Sequence, residues 1–144
     1  MRVETGWYDK DHYYVVKPLH NGHRQSLIMG AQCGASGRWY ILAGIFSSCA
    51  TYNSMYRSDV WNTPTSTNKS PSMKVVSLAL EALAEIEQEI HNQGDGKRRY
   101  IYVDGLDERR LRIYTKILTK RCGYKISTVM SENDLDLPMV YKKV

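Results

Sequence analysis

The stretch Tyr100–Tyr124, YIYVDGLDERRLRIYTKILTKRCGY, decides how the chain is read. Its first four residues are β-branched or aromatic and read as a short strand, fed by Lys97-Arg98-Arg99 and closed by the turn formers Asp104-Gly105. The period then changes. Leu111, Tyr114, Ile117, Leu118 and Cys122 fall on one face of a helix from about Asp107 to Cys122, and Arg109, Arg112, Lys116 and Lys120 fall on another. Gly123 is the expected C-cap, since glycine takes a left-handed backbone without a Cβ clash. Beyond it Lys125 to Met130 alternates as a strand, Glu132 to Asp136 reads as an acidic turn, and Met139 to Val144 as a last strand.

Toward the N-terminus the next element is another helix. Ser70 is a good N-cap and Pro71 a good first helical residue; Val76, Ala79, Leu80, Leu83, Ile86 and Ile90 follow at helical spacing, and Asn92 and Gly94 mark the end. Thr51 to Ser70 is a long stretch of Asn, Ser, Thr and Pro with one strand-like pair, Val60-Trp61; loops of that length tend to be functional. Ser26 to Cys33 and Arg38 to Ser47 read as two strands of a hairpin joined by Gly34-Ala35-Ser36-Gly37, with Gly30 and Gly44 marking a bulge or the close approach of a ligand. Tyr8 to Leu19 fits a strand by propensity and a helical face by spacing, and the period does not decide. Pro18 and Asn21-Gly22 then mark a turn carrying His20 and His23. The order of elements predicts an α/β fold, with a mixed, mostly antiparallel sheet flanked by helices in a single domain over residues 1–144.

Composition narrows the classes. With 42% hydrophobic and 24% charged residues, the chain is of ordinary globular make-up, which argues against a disordered or fibrous protein. The longest apolar run, Ile41 to Phe46, is far short of the roughly 18 residues of a membrane span, so no membrane partner is expected. The mixed charge of Met1-Arg2-Val3-Glu4 does not resemble a signal peptide, and Cys33, Cys49 and Cys122 form neither a disulfide framework nor a metal pair. A cytoplasmic protein with three core thiols is the expectation. The net charge is +5, but residues 97–125 hold ten basic and three acidic residues, a local +7 that leaves −2 for the rest. Such a segment attracts phosphate-bearing partners, nucleic acid or coenzyme. Eleven tyrosines beside one phenylalanine suggest rings whose hydroxyls meet water or a ligand.

Four groups of residues could carry chemistry. His12, His20 and His23 lie close in sequence, but no Cys, Asp or Glu completes a usual metal spacing, and loop or surface histidines are the simpler reading. Asn68-Lys69-Ser70-Pro71-Ser72 opens a helix, where unpaired N–H groups and partial positive charge suit an anion, although Ser70 and Ser72 read first as caps. Arg109 and Arg112, with Lys116 and Lys120, could grip phosphates or form a solvated face. Tyr114 is a core aromatic by position, and its phenol is also a possible general acid.

The stretch from Tyr100 to Tyr124 resembles the strand, helix and Gly-aromatic ending of the GNAT acyltransferase superfamily. The resemblance implies an acyl-coenzyme A-dependent N-acyltransferase, with acetyl-CoA or another acyl-CoA as co-substrate and an amine as acceptor. It implies that Tyr114 protonates the departing thiolate and that the helix opening at Ser70 receives the coenzyme pyrophosphate, with Asn68, Lys69, Ser70, Ser72, Arg109 and Arg112 binding the coenzyme. His20 and His23 are then candidates for the general base. The family's usual Gln/Arg-x-x-Gly-x-Gly/Ala loop is absent, and Asn68-Lys-Ser-Pro-Ser72 stands in its place. That entry is similar to divergent phage-associated members, including the Mom-type DNA-adenine modification proteins, whose His-aromatic element is loosely matched by Leu19-His20-Asn21-Gly22-His23. A nucleic-acid acceptor is one expectation. A non-catalytic GNAT-shaped protein that binds nucleic acid or belongs to a virion is the alternative.

Overall fold

The turn Asp9-Lys10-Asp11-His12 resolves the segment whose period does not decide. In the computed structural model Asp9 Oδ1 accepts a hydrogen bond from the Asp11 amide at 2.8 Å and pairs with His12 Nδ1 at 2.7 Å. A side chain that captures the backbone two residues on makes a tight turn, so the segment folds as the hairpin β1 (Gly6–Asp9) and β2 (His12–Pro18), with a register irregularity between Trp7 and Asp9. The alternation of β2 is hidden in the sequence because both faces are covered: Tyr13 and Val15 are buried on one, Tyr14 on the other.

The structure describes residues 2–19, 25–34, 37–47, 50–52, 73–93, 100–103, 108–130 and 136–144, with the backbone alone for 108–114, 127–130 and 136–139. The remaining elements are β3 (Gln25–Cys33), β4 (Arg38–Ser47), α1 (Met73–Asn92), β5 (Tyr100–Val103), α2 (Glu108–Arg121), β6 (Lys125–Met130) and β7 (Asp136–Lys143). They form an α/β fold with a seven-stranded sheet in the order β1-β2-β3-β4-β5-β7-β6. Every neighbouring pair is antiparallel except β4 and β5, which run parallel. Parallel neighbours need a crossover, and α1 supplies it.

Both helices feed one core. A row of cross-strand partners, Tyr13 with Ala31, Ala31 with Ile41, Ile41 with Val103 and Val103 with Val140, runs across the sheet beneath Ala82, Leu83, Ile86 and Ile90 of α1 and Leu118 of α2. Trp39 and Ile101, also partners, are fully buried there. Truncating such an aromatic costs about 3–5 kcal/mol. The opposite face carries a smaller cluster of Tyr14 and Ile28 with Val3 and Tyr52, to which neither helix contributes among the described residues. Here the N-terminal segment runs beside residues 50–52 through Val3 N to Ala50 O and the bridge between Arg2 and Thr51.

Several expected details change. β7 begins at Asp136, so the end of the expected acidic turn is strand; residues 131–135 lie outside the described residues. The register of β3 with β4 is unbroken from Gln25↔Ser47 to Cys33↔Trp39, so neither Gly30 nor Gly44 marks a bulge. At Gly44 the close neighbour is Phe46, whose ring would lie 2.9 Å from an added Cβ. The Ser70 cap, Pro71 and most of the segment from Thr51 lie outside the described residues, as does Cys49. Cys33 and Cys122 are free thiols half-buried against the core. No helix among the described residues is long and apolar enough to cross a membrane.

The Gly123 cap stands as expected. Gly123 has φ 77°, and the amides of Cys122 and Tyr124 both donate to Leu118 O at 3.1 and 3.2 Å, closing α2. The cap delivers Tyr124 into the core, where its hydroxyl donates to Glu87 Oε1 at 2.6 Å; Lys142 Nζ reaches Glu87 Oε2 at 3.2 Å. Burial first, then the bond to Glu87, pushes the Tyr124 phenol far above its ordinary range. Above pH ~10 the unfolded chain releases that proton and the folded one keeps it, so stability falls as pH rises. Urea titrations from pH 8 to 11 should therefore show a loss that is shallower in Tyr124→Phe by about 1.4 kcal/mol per pH unit above pH ~10. Equal slopes for the two proteins would contradict this.

Candidate functional site

One end of the sheet collects the features a ligand could use. β2, β4 and β5 share a direction, because β3 is antiparallel to β2 and β4 and β5 is parallel to β4. Their C-terminal ends therefore point the same way, with β5 stopping level with Ile41, six residues short of the end of β4. α1 runs the opposite way: Glu81 and Glu85, around its middle, meet Lys17 near the end of β2 at 4.0 and 2.8 Å, and Glu89, nearer its C-terminus, accepts from Trp7 Nε1 at 2.8 Å beside the start of β2. Its first turn, opened by Met73, is thus at the C-terminal end of the strands. α2 begins after β5 leaves the sheet at that same end.

Two physical properties follow. A helix start presents unpaired N–H groups and partial positive charge, and the first turn of α1 holds no acidic residue to neutralise it. The pairing of β4 with β5 covers only Arg38↔Tyr100 to Ile41↔Val103, while β4 runs on to Ser47. From Leu42 to Ile45 no described strand lies beside β4 on the β5 side. Backbone groups on such an edge can pair with an extended ligand that carries amides.

The expected site residues map onto this end as follows. Arg109, Arg112 and Tyr114 are in the first half of α2, which starts there; their side chains lie outside the described residues. His20 and His23 lie outside them too, but the flanking residues are joined by Leu19 N donating to Gln25 O at 2.8 Å, beside the end of β4 where Gln25 pairs with Ser47. Asn68, Lys69, Ser70 and Ser72 also lie outside, directly before Met73. Lys116 and Lys120, the other half of the basic stripe, are exposed on α2. Three separate stretches of sequence thus lead to or from one end of the sheet.

Other polar groups are visible only in three dimensions. At the turn between β1 and β2, burial pulls the Asp9 carboxyl upward, but the hydrogen bonds from His12 and the Asp11 amide prevail and hold it below its ordinary value. The signal was Asp-x-x-His across a turn. The Glu87–Tyr124–Lys142 group, in which Tyr124 is buried and the two charged residues are half-buried, joins α1, the turn after α2 and β7; desolvation, then Glu87, also raises the neighbouring Cys122 thiol. Among the described residues no group of three His, Cys, Asp or Glu is arranged to hold a metal ion.

No family model, no curated protein and no solved structure matches this chain.

The open edge of β4 has a direct readout. Along Leu42 to Ile45, amides that face β3 should resist hydrogen exchange and the alternate ones should exchange fast. Uniform protection along the strand in the free protein would refute the open edge.

Proposed function

We propose that the protein is an acyl-coenzyme A-dependent N-acyltransferase of GNAT type. The observation that carries this reading is the parallel β4/β5 pair in which β5 stops at Val103 while β4 continues, with the N-terminal ends of α1 and α2 at the same end of the sheet. The pantetheine arm of coenzyme A is extended and carries secondary amides, which suits the β4 edge from Leu42 to Ile45. Its pyrophosphate suits the start of α1, with Asn68, Lys69, Ser70 and Ser72 around it and Arg109 and Arg112 as further phosphate contacts.

The chemistry is an acyl exchange. The acceptor amine nitrogen attacks the thioester carbonyl carbon, giving a tetrahedral intermediate. The C–S bond then breaks, the thiolate takes a proton from the Tyr114 hydroxyl, and His20 or His23 accepts the proton released by the amine. Imidazole is the side chain suited to taking up a proton near neutral pH. The sequence segment 97–125, with its local +7, favours a nucleic acid or a nucleic-acid-associated molecule as acceptor.

One observation favours a second reading. The usual phosphate loop of the family is absent, so a non-catalytic protein of the same shape that binds nucleic acid or belongs to a virion is the alternative. Calorimetry with acetyl-CoA separates the two. The first reading expects saturable binding, and Tyr114→Phe should lower kcat about 100-fold or more with little change in acyl-CoA affinity. Absence of coenzyme binding, or unchanged turnover in Tyr114→Phe, would overturn it.

A further inference from the structure

The sheet face turned away from both helices carries a second set of residues that the reading above does not use. The registers place them in two rows. Arg38, Tyr100 and Lys143 are partners across β4, β5 and β7; next to them Tyr40, Tyr102, Tyr141 and Lys125 are partners across β4, β5, β7 and β6. The alternate positions, Trp39, Ile101 and Val140, point into the core beneath the helices. The tyrosine rings are arranged rather than scattered: Tyr102 and Tyr141 are stacked with centroids 5.7 Å apart, Tyr40 lies 5.8 Å from Tyr102, and Tyr100 lies 6.5 Å from Tyr141. The Arg38 guanidinium stands 5.3 Å over the Tyr102 ring.

We propose that this face is a docking platform for single-stranded nucleic acid. Tyr100 is 40% exposed, a large ring left open on a sheet surface, and Arg38, Lys125 and Lys143 are exposed around the tyrosines. None of these three cations pairs with a carboxylate among the described residues, and the two rows contain no acidic residue. Tyr102 is buried among its neighbours and Tyr40 and Tyr141 are half-buried, so Tyr100 is the open ring. An open aromatic face bordered by cations suits an unpaired base, which has a π-face and is joined to the next by a phosphate. A duplex hides those base faces in its own stack and offers only charge. The tyrosine hydroxyls and the cations also make the surface too polar for a purely apolar protein partner. The platform stands whether or not the coenzyme site binds, and gives the nucleic-acid-binding reading a surface distinct from the basic stripe of α2.

The test is fluorescence anisotropy with labelled oligothymidylate and oligouridylate of about 16 nucleotides and a duplex of equal length. The wild type should bind at least one single strand more tightly than the duplex; which one is preferred identifies DNA or RNA as the ligand. Tyr100→Ala should weaken that binding about 5-fold or more, and Tyr100→Phe, which keeps the ring, should not. Arg38→Ala should weaken it and flatten its salt dependence. Circular dichroism melts confirm that each variant is folded. The proposal is overturned if the wild type binds no single strand, if duplex is bound equally well, if Tyr100→Ala binds like wild type, or if only Lys116→Ala and Lys120→Ala lose binding. Acetyl-CoA calorimetry on Tyr100→Ala should match wild type, so that failure here and failure of the coenzyme reading are told apart.

Discussion

Two neighbouring strands that run parallel cannot be joined by a tight turn, and the β4/β5 pair imposes that constraint on the chain. The return path from the end of β4 to the start of β5 must cross the sheet, and the only described element on that path is α1. Its direction, its seat on β2 and β3, and the position of its first turn all follow from this. The same pair sets where the sheet is incomplete. β5 contributes four residues against ten in β4, so no described strand lies beside β4 on that side beyond Ile41.

Apolar burial and polar tethers divide the work of holding α1. Each of Leu83, Ile86 and Ile90 is almost fully buried, and burial of such a side chain contributes roughly 1.5–3 kcal/mol. The surface pair of Lys17 with Glu85 contributes at most about 1 kcal/mol. The apolar seam therefore supplies the stability. The tethers act on alignment instead: Glu85, Glu87 and Glu89 bind three different strands or their flanks, through Lys17, through Lys142 and Tyr124, and through Trp7. Tethered at Glu85, Glu87 and Glu89 in its C-terminal half, the helix cannot slide by a turn without losing all three.

How much of this was legible in the sequence depends on how many faces of an element are covered. α1 has one buried stripe, and Val76, Leu83, Ile86 and Ile90 are buried as their spacing implies. β3 and β4 were legible through their β-rich runs and the glycine turn. β2 was not, because Tyr13, Tyr14 and Val15 are buried on both faces and erase the period. The parallel pairing of β4 and β5 leaves no local mark at all; it is a long-range choice of partner. The stop of β5 at Val103 was visible as Asp104-Gly105, yet its consequence for the edge of β4 appears only when the two strands are side by side. For the site, the helix starts and basic residues could be read, whereas the shared end of the sheet could not.

The excess of tyrosine over phenylalanine has its explanation in the unequal faces of the sheet. Under the helices the chain uses mostly aliphatic side chains with Trp39 and Tyr13, and Tyr124, delivered there by the cap of α2, donates its hydroxyl to Glu87. On the other face Tyr14, Tyr52 and Tyr102 are buried, whereas Tyr8, Tyr40, Tyr100 and Tyr141 are exposed or half-buried, positions that suit a ring carrying a polar hydroxyl. Phenylalanine in those places would leave an apolar patch across β4, β5 and β7, which a soluble surface does not tolerate without a partner. Neighbouring rings stack against one another and under Arg38 on that face, to which neither α1 nor α2 contributes among the described residues. A sheet with one face covered by α1 and α2 and the other lined in part by its own tyrosines can present an aromatic and cationic surface while its core stays dry.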